Sequence, residues 1–85
     1  MKLEPISNNC SLLRTNHGWQ ILYSYGTAVA GYNPVLNMCF KTDKKWSNTT
    51  TRHINKWLTS QQADNVVILE QSDIDNIGFL IGAQS

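Results

Sequence analysis

The sequence predicts a small α+β domain: an antiparallel β-meander of about four strands, covered by one α-helix. One further strand and a short C-terminal helical turn follow the helix. Apolar and polar residues alternate in residues 19–25 and again in residues 36–41, which is the period of half-buried strands. Residues 46–58 instead space their apolar side chains three and four positions apart, as an amphipathic helix does.

Two tight reversals define the first three predicted strands. Residues 10–15 and 19–25 flank Asn16-His17-Gly18, a loop of residue types that tolerate a positive φ, so the segment is typical of a β-hairpin. The alternation in residues 19–25 predicts that their three aromatic rings share one face of the sheet. Gly26 makes the next reversal, into a strand of small residues at positions 27–32.

Two further strands lie on either side of the predicted helix in the chain. Asn33-Pro34 is a turn signal, and residues 36–41 after it form the fourth strand. Residues 65–70 are β-branched and apolar, which predicts an internal or well-covered fifth strand. Residues 72–77 are typical of a capped helical turn, which Gly78 stops.

The helix has both a start signal and an apolar stripe. Residues 47–51 are successive N-cap candidates, because their hydroxyl and amide oxygens accept from the free amides of a first helical turn. Ile54, Trp57 and Leu58 then give the helix one apolar side. A single sheet cannot bury its apolar side unaided, so we expect this stripe to cover the meander, with the helix ending near residues 60–61.

Charge is segregated along the chain, although the formal net charge is only +1. Residues 41–56 carry five cations and one acid, a net charge of +4, whereas the chain after them carries only four acids: Asp64, Glu70, Asp73 and Asp75. Such asymmetry indicates a basic face that binds a partner. It equally fits an acidic tail that lies against the basic helix within one domain.

Composition limits the class of protein. The 41% hydrophobic and 15% charged content of this 85-residue chain fits one folded domain over residues 1–85, with frayed ends at 1–8 and 80–85. The sequence has neither the apolar segment of a secretory signal nor a membrane-length apolar stretch, which predicts a cytoplasmic protein. Cys10 and Cys39 are too few and too far apart for a zinc site, so we expect two core thiols, no metal and no cofactor.

Two segments have a distinctive order of residues. Residues 22–30 read LYSYGTAVA and residues 45–54 read KWSNTTTRHI. Over residues 19–58 the chain resembles a group of small, mostly uncharacterised proteins of bacteriophages and related mobile elements, in which a YSYxTxVA strand pair precedes a WSxTTxRHI helix start. Ala28 stands where many such proteins have proline. The resemblance implies a phage origin, with the host-cell cytoplasm as the location, and brings no established activity.

The start of the predicted helix is the candidate functional site. Acidic residues are favoured in the first turn of a helix, yet no Asp or Glu occurs between Lys44 and Lys56. Free amides, threonine hydroxyls and cations together predict an anion site, with phosphate or nucleic acid as the ligand and Trp46 stacking on a base. The candidate ligand-binding residues are Lys44, Lys45, Trp46, Thr49, Thr50, Thr51, Arg52, His53 and Lys56.

Other interpretations of the same segment stay open. In a purely structural interpretation, the threonines only cap the helix, the cations form a solvated face, and His53 is a structural histidine. A different functional class is an interaction module or inhibitor that binds a host protein through an exposed strand edge or an aromatic patch, and a homo-oligomer is compatible with each class. We expect no enzyme, because His53 has no acidic or thiol partner within its motif.

Overall fold

One mixed β-sheet with a helix on each face forms the protein. A computed structural model describes residues 2–61 and 65–84, which contain six strands and two helices. The strands are β1 (Lys2–Ser7), β2 (Cys10–Arg14), β3 (Gln20–Ser24), β4 (Thr27–Asn33), β5 (Met38–Thr42) and β6 (Val66–Leu69); the helices are α1 (Asn48–Ser60) and α2 (Gln71–Gln84). Met1 and Ser85 at the predicted frayed ends, and Asp64 in the predicted acidic group, lie outside the described residues.

The strands lie side by side in chain order, from β1 at one edge to β6 at the other. The first four pairings are antiparallel. The pairing of β5 with β6 is parallel, because the chain passes through α1 between these two strands. The predicted meander corresponds to β2–β5 and the further strand to β6, so the α+β class is confirmed. The sheet is larger than predicted, because β1 pairs along β2 and extends it by one strand.

Backbone conformation at the reversals explains why the hairpins form where the sequence predicts them. Tyr25 and Gly26 join β3 to β4 with φ values of 53° and 80°, and two positive φ angles are what a type I′ hairpin turn requires. Gly18 has a φ of 90° in the loop between β2 and β3. Tyr25 lies in this turn and borders two surfaces. It lines a groove together with Tyr23, and its ring centroid lies 6.3 Å from that of His53 in α1.

Helix α1 covers one face of the sheet, as predicted. Ser47 is its N-cap and Gln61 its C-cap. The expected stripe of Ile54, Trp57 and Leu58 is buried in a cluster with residues of β2, β3, β4 and β5. This packing also buries both cysteines, which are free thiols as predicted, and burial raises the pKa of each thiol.

Helix α2 covers part of the opposite face and is longer than the predicted turn. Ile74 is fully buried in a second cluster with Leu13 and Ile21. Gly78 does not stop the helix but lies inside it, against the sheet. A Cβ added at Gly78 would lie 3.4 Å from the Tyr23 hydroxyl and 3.7 Å from the Cβ of Ala28, which are ordinary van der Waals distances. The helix continues through this position although glycine costs about 1 kcal/mol relative to alanine.

Strand β6 is not internal, and this part of the prediction is wrong. It forms the edge of the sheet beside β5, with Val67 36% exposed and Ile68 62% exposed. Leu36, predicted to begin the fourth strand, is 65% exposed because it lies in the turn before β5. Within the described ranges, neither helix has the length and apolarity needed to cross a membrane.

Candidate functional site

The first turn of α1 is capped by the Ser47 side chain and carbonyl, and two of its amides have no acceptor among the described residues. The Ser47 side chain accepts from the Thr50 amide at 3.1 Å, and the Ser47 carbonyl accepts from both the amide and the hydroxyl of Thr51 at 3.0 Å. Among the described residues no acceptor lies against the amides of Asn48 and Thr49. These are the first two positions of the helix, where the partial positive charge of the helix dipole is concentrated.

An open cleft of about 430 Å³ lies beside these amides, between α1 and the β3–β4 turn. Its hydroxyl groups come from both elements, and two exposed aromatic rings border it: Trp46 is 41% exposed and Tyr25 is 57% exposed. The lining residues are Ser24, Tyr25, Thr27, Trp46, Ser47, Thr49 and Thr50. The cleft therefore combines hydrogen-bonding groups with aromatic surface next to the positive end of a helix.

Trp46 is held in place from two directions. Its indole Nε1 donates to Oε1 of Gln71 at 3.2 Å, and Gln71 in turn donates through Nε2 to the carbonyl of Ala28 at 2.7 Å. The Lys44 ammonium lies 4.0 Å from the centroid of the Trp46 ring, a cation–π distance. A side chain fixed in this way loses little rotamer freedom when a planar group stacks on it.

Two of the candidate residues turn inward and bond to the sheet. Thr50 is buried, and its hydroxyl lies 2.9 Å from the buried hydroxyl of Ser24. Nδ1 of His53 lies 2.9 Å from the same Ser24 oxygen, and Ser47 donates to Thr50 at 3.2 Å. Among the described residues no carboxylate bonds to His53, so the histidine has a hydroxyl partner and no orienting acid. This network fixes α1 on β3 and places the N-cap over the cleft.

The cations near the start of α1 are exposed and have no acidic partner within the part of the chain that the structure describes. Lys44, Lys45, Arg52 and Lys56 are all exposed, and none has an acidic partner among residues 2–61 and 65–84. The first turns of α2 lie near the segment that precedes α1, because Trp46 donates to Gln71 at 3.2 Å and lines a cleft together with Asp75. An acid of the C-terminal segment thus lies close to the start of α1, although no ion pair joins it to these cations among the described residues.

The structure divides the nine sequence-predicted residues into three groups. Trp46, Thr49 and Thr50 line the cleft. His53 bonds to Ser24, which lines the cleft. Lys44, Lys45, Thr51, Arg52 and Lys56 do not line it and are exposed. The residues that sequence reasoning missed are Ser24, Tyr25, Thr27, Asn48 and Gln71.

Local patterns gave little signal for the missed residues, with one exception. The pair Tyr25-Gly26 signals a tight turn, and a turn residue with a positive φ is expected to project from the sheet. Ser24, Thr27 and Gln71 join the site only through pairing and packing between distant segments. The described residues also contain no group of three His, Cys, Asp or Glu side chains that could hold a metal ion.

Comparison with known proteins places the chain within a family without an assigned activity. Residues 1–76 match the model of a family of unknown function, DUF8033. No curated protein and no solved structure matched the chain. The match covers all six strands and both residues of the free amide pair, and it reaches the first turns of α2.

Proposed function

The chain belongs to the DUF8033 family of unknown function, and we propose that it is a small non-enzymatic accessory protein that binds single-stranded nucleic acid at the start of α1. The phage origin implied by the two sequence motifs is part of the same proposal. One observation carries it. The amides of Asn48 and Thr49 have no acceptor among the described residues and lie beside a cleft bordered by two exposed aromatic rings, and the exposed cations of residues 44–56 have no acidic partner among the described residues.

Each part of this surface has a role in the proposed complex. A backbone phosphate accepts from the amides of Asn48 and Thr49, where the helix dipole favours an anion. An unstacked base lies against Trp46 or Tyr25, because every base has a planar face and base–aromatic stacking is tolerant of sequence. Lys45 and Arg52 neutralise neighbouring phosphates and release their counterions. Single strands are favoured over duplexes because only unpaired bases reach an aromatic face.

Asn48 allows a sharp test of the amide contact. Proline is favoured at the first position of a helix, and Ser47 before it has the extended conformation that a following proline requires, with φ −151° and ψ 166°. Asn48→Pro therefore removes the amide donor without breaking α1, whereas Asn48→Ala keeps the donor and removes only the side chain. Loss of one hydrogen bond to a charged group costs about 1.5–3 kcal/mol, so we expect Asn48→Pro to weaken binding roughly tenfold or more.

Fluorescence anisotropy with a labelled single-stranded oligonucleotide measures these affinities. We expect Arg52→Ala to weaken binding and to reduce the slope of log K against log salt by about one, as loss of a phosphate contact does. Arg14→Ala is the matched control, since Arg14 is equally cationic but lies on β2 beside Glu4, at 3.9 Å. Absence of binding at low salt would contradict the proposal, as would equal losses in Arg52→Ala and Arg14→Ala or unchanged binding by Asn48→Pro.

A further inference from the structure

Three hydroxyls and one imidazole connect the first turn of α1 to the end of β3. Ser47 donates to the Thr50 hydroxyl at 3.2 Å, and the Thr50 hydroxyl lies 2.9 Å from that of Ser24. The Ser24 hydroxyl in turn lies 2.9 Å from Nδ1 of His53. We call these four side chains the hydroxyl chain. Ser24 and Thr50 are only 2% and 4% exposed, so a donor of theirs that has no acceptor is costly.

The number of protons fixes the direction of the hydroxyl chain while His53 is neutral. The chain has three contacts, and each of its three hydroxyls supplies one proton. Because Ser47 donates to Thr50, the Thr50 proton goes to Ser24 and the Ser24 proton goes to Nδ1 of His53. Every hydroxyl proton then has an acceptor inside the chain, and the neutral imidazole carries its own proton on Nε2.

Protonation of His53 reverses part of the hydroxyl chain. A proton taken up from solvent on Nδ1 makes this nitrogen a donor to Ser24, and the Ser24 proton turns to Thr50. The Thr50 oxygen then accepts from both Ser47 and Ser24, which occupies both of its lone pairs, and its own proton has no acceptor left in the chain. Ser24, Ser47 and Thr50 all line the cleft beside α1, so an anion in that cleft supplies the missing acceptor.

We propose that protonation of His53 switches the cleft beside α1 into the state that binds a backbone phosphate. This inference rests on the proposed nucleic-acid site and adds the regulation of that site by pH. The neutral imidazole keeps every hydroxyl proton inside the chain. The imidazolium adds a positive charge and frees the Thr50 hydroxyl as a donor beside the amides of Asn48 and Thr49. His53 does not line the cleft, so it acts through Ser24 and Thr50 as a positioning residue.

The ionisable neighbours of His53 keep their charge over the range in which a histidine titrates, from about pH 5 to pH 8. They are Arg52 and Lys56 on α1, Tyr25 in the β3–β4 turn and Cys10 on the neighbouring strand β2. Arginine and lysine stay cationic in this range and tyrosine stays neutral. Burial raises the pKa of Cys10, which keeps its thiol neutral as well. A change of binding with pH in this range therefore reports on His53.

Imidazole ¹⁵N chemical shifts test the hydroxyl chain without any ligand. The neutral form of His53 should be entirely the Nε2–H tautomer, because Ser24 donates to Nδ1. Ser24→Ala removes that donor and should allow a mixture of tautomers. His17, the other histidine of the chain, is exposed in the loop between β2 and β3 and is the internal control, which Ser24→Ala should leave unchanged. A neutral His53 that carries its proton on Nδ1 would overturn the proposal, whether or not the protein binds nucleic acid.

Fluorescence anisotropy with labelled oligothymidylate, from about pH 8 to about pH 5, tests the coupling, because neither thymine nor the phosphodiester titrates in this range. We expect the affinity to rise about tenfold as the pH falls. His53→Gln and Ser24→Ala should each lose most of this pH dependence, whereas the matched control His17→Gln should keep it. Circular dichroism melting at each pH shows whether the variants are folded. Binding that does not change with pH, or an unchanged pH dependence in folded Ser24→Ala, would overturn this proposal alone. Absence of binding at every pH would overturn it together with the proposed function.

Discussion

Trp57 gives a quantitative test of how α1 is held on the sheet. Its side chain is only 5% exposed and packs in the cluster that joins α1 to β2, β3 and β4. Replacing a buried tryptophan by alanine removes its apolar contacts and leaves a cavity, which costs about 3–5 kcal/mol. A domain of this length has a total stability of about 4–13 kcal/mol. Trp57→Ala should therefore lose a large part of the stability and shift the urea midpoint accordingly.

The indole nitrogen makes the comparison with Trp57→Phe informative. Nε1 of Trp57 is buried, and no acceptor for it lies among the described residues. A buried donor without a partner costs about 1–3 kcal/mol, so phenylalanine loses part of the packing but also relieves this cost. We expect Trp57→Phe to change the free energy of unfolding by less than about 1 kcal/mol, measured by urea denaturation followed by far-ultraviolet circular dichroism. Wild-type stability in Trp57→Ala would refute the packing of α1 on the sheet, and equal losses in both variants would refute the argument about the indole donor.

Three further predictions concern stability. Ser47→Ala removes the N-cap of α1 and should lower the free energy of unfolding by about 0.5–2 kcal/mol in the same urea assay; an unchanged midpoint would contradict the cap. Gly31→Ala places a Cβ into the Phe40 ring and against the backbone carbonyl of Gln20 and should destabilise the fold by about 1–3 kcal/mol; a wild-type midpoint would contradict this close packing. Burial raises the pKa of Cys10 and Cys39, so the unfolded chain loses these protons first and stability should fall as the pH rises above about 8.5. Urea midpoints over that pH range should fall less in Cys39→Ala, and an equal fall would contradict the assignment.

Much of the central fold is encoded locally, which explains why the sequence predicts it. The turn at Tyr25-Gly26 and the cap at Ser47 are each determined by a few adjacent residues. The turn forms at the predicted reversal, and Ser47, one of the predicted N-cap candidates, is the N-cap. The apolar stripe around Trp57 likewise needs only the helical period. These features suffice to place β2–β5 and α1.

The parts of the fold that were missed depend on pairing between distant segments. β1 contains Pro5, and its two large apolar side chains, Leu3 and Ile6, are exposed, so its own residues indicate a strand only weakly; it pairs with the free edge of β2. The second covering helix did have a signal. Leu12-Leu13 and Ile21-Leu22 are adjacent apolar pairs, and such pairs indicate that a strand is buried on both faces.

The candidate site shows the same limit. The cations and Trp46 can be assigned to the start of α1 from the sequence, because helix and charge lie in one segment. Ser24 and Tyr25 reach the site only because β3 ends beneath the first turn of α1. The inward direction of Thr50 and His53 also depends on that packing, since a helical period alone does not tell which neighbour a polar side chain meets.

The most direct test of the proposed function is a titration of the ¹⁵N-labelled protein with a single-stranded oligonucleotide, followed by amide NMR shifts. Binding at the start of α1 predicts the largest shifts at the amides of Asn48 and Thr49 and at the indole of Trp46, with little change along β1. The shifts of the two amides should disappear as salt concentration rises. Shifts confined to other surfaces, or none at low salt, would contradict nucleic-acid binding by this site.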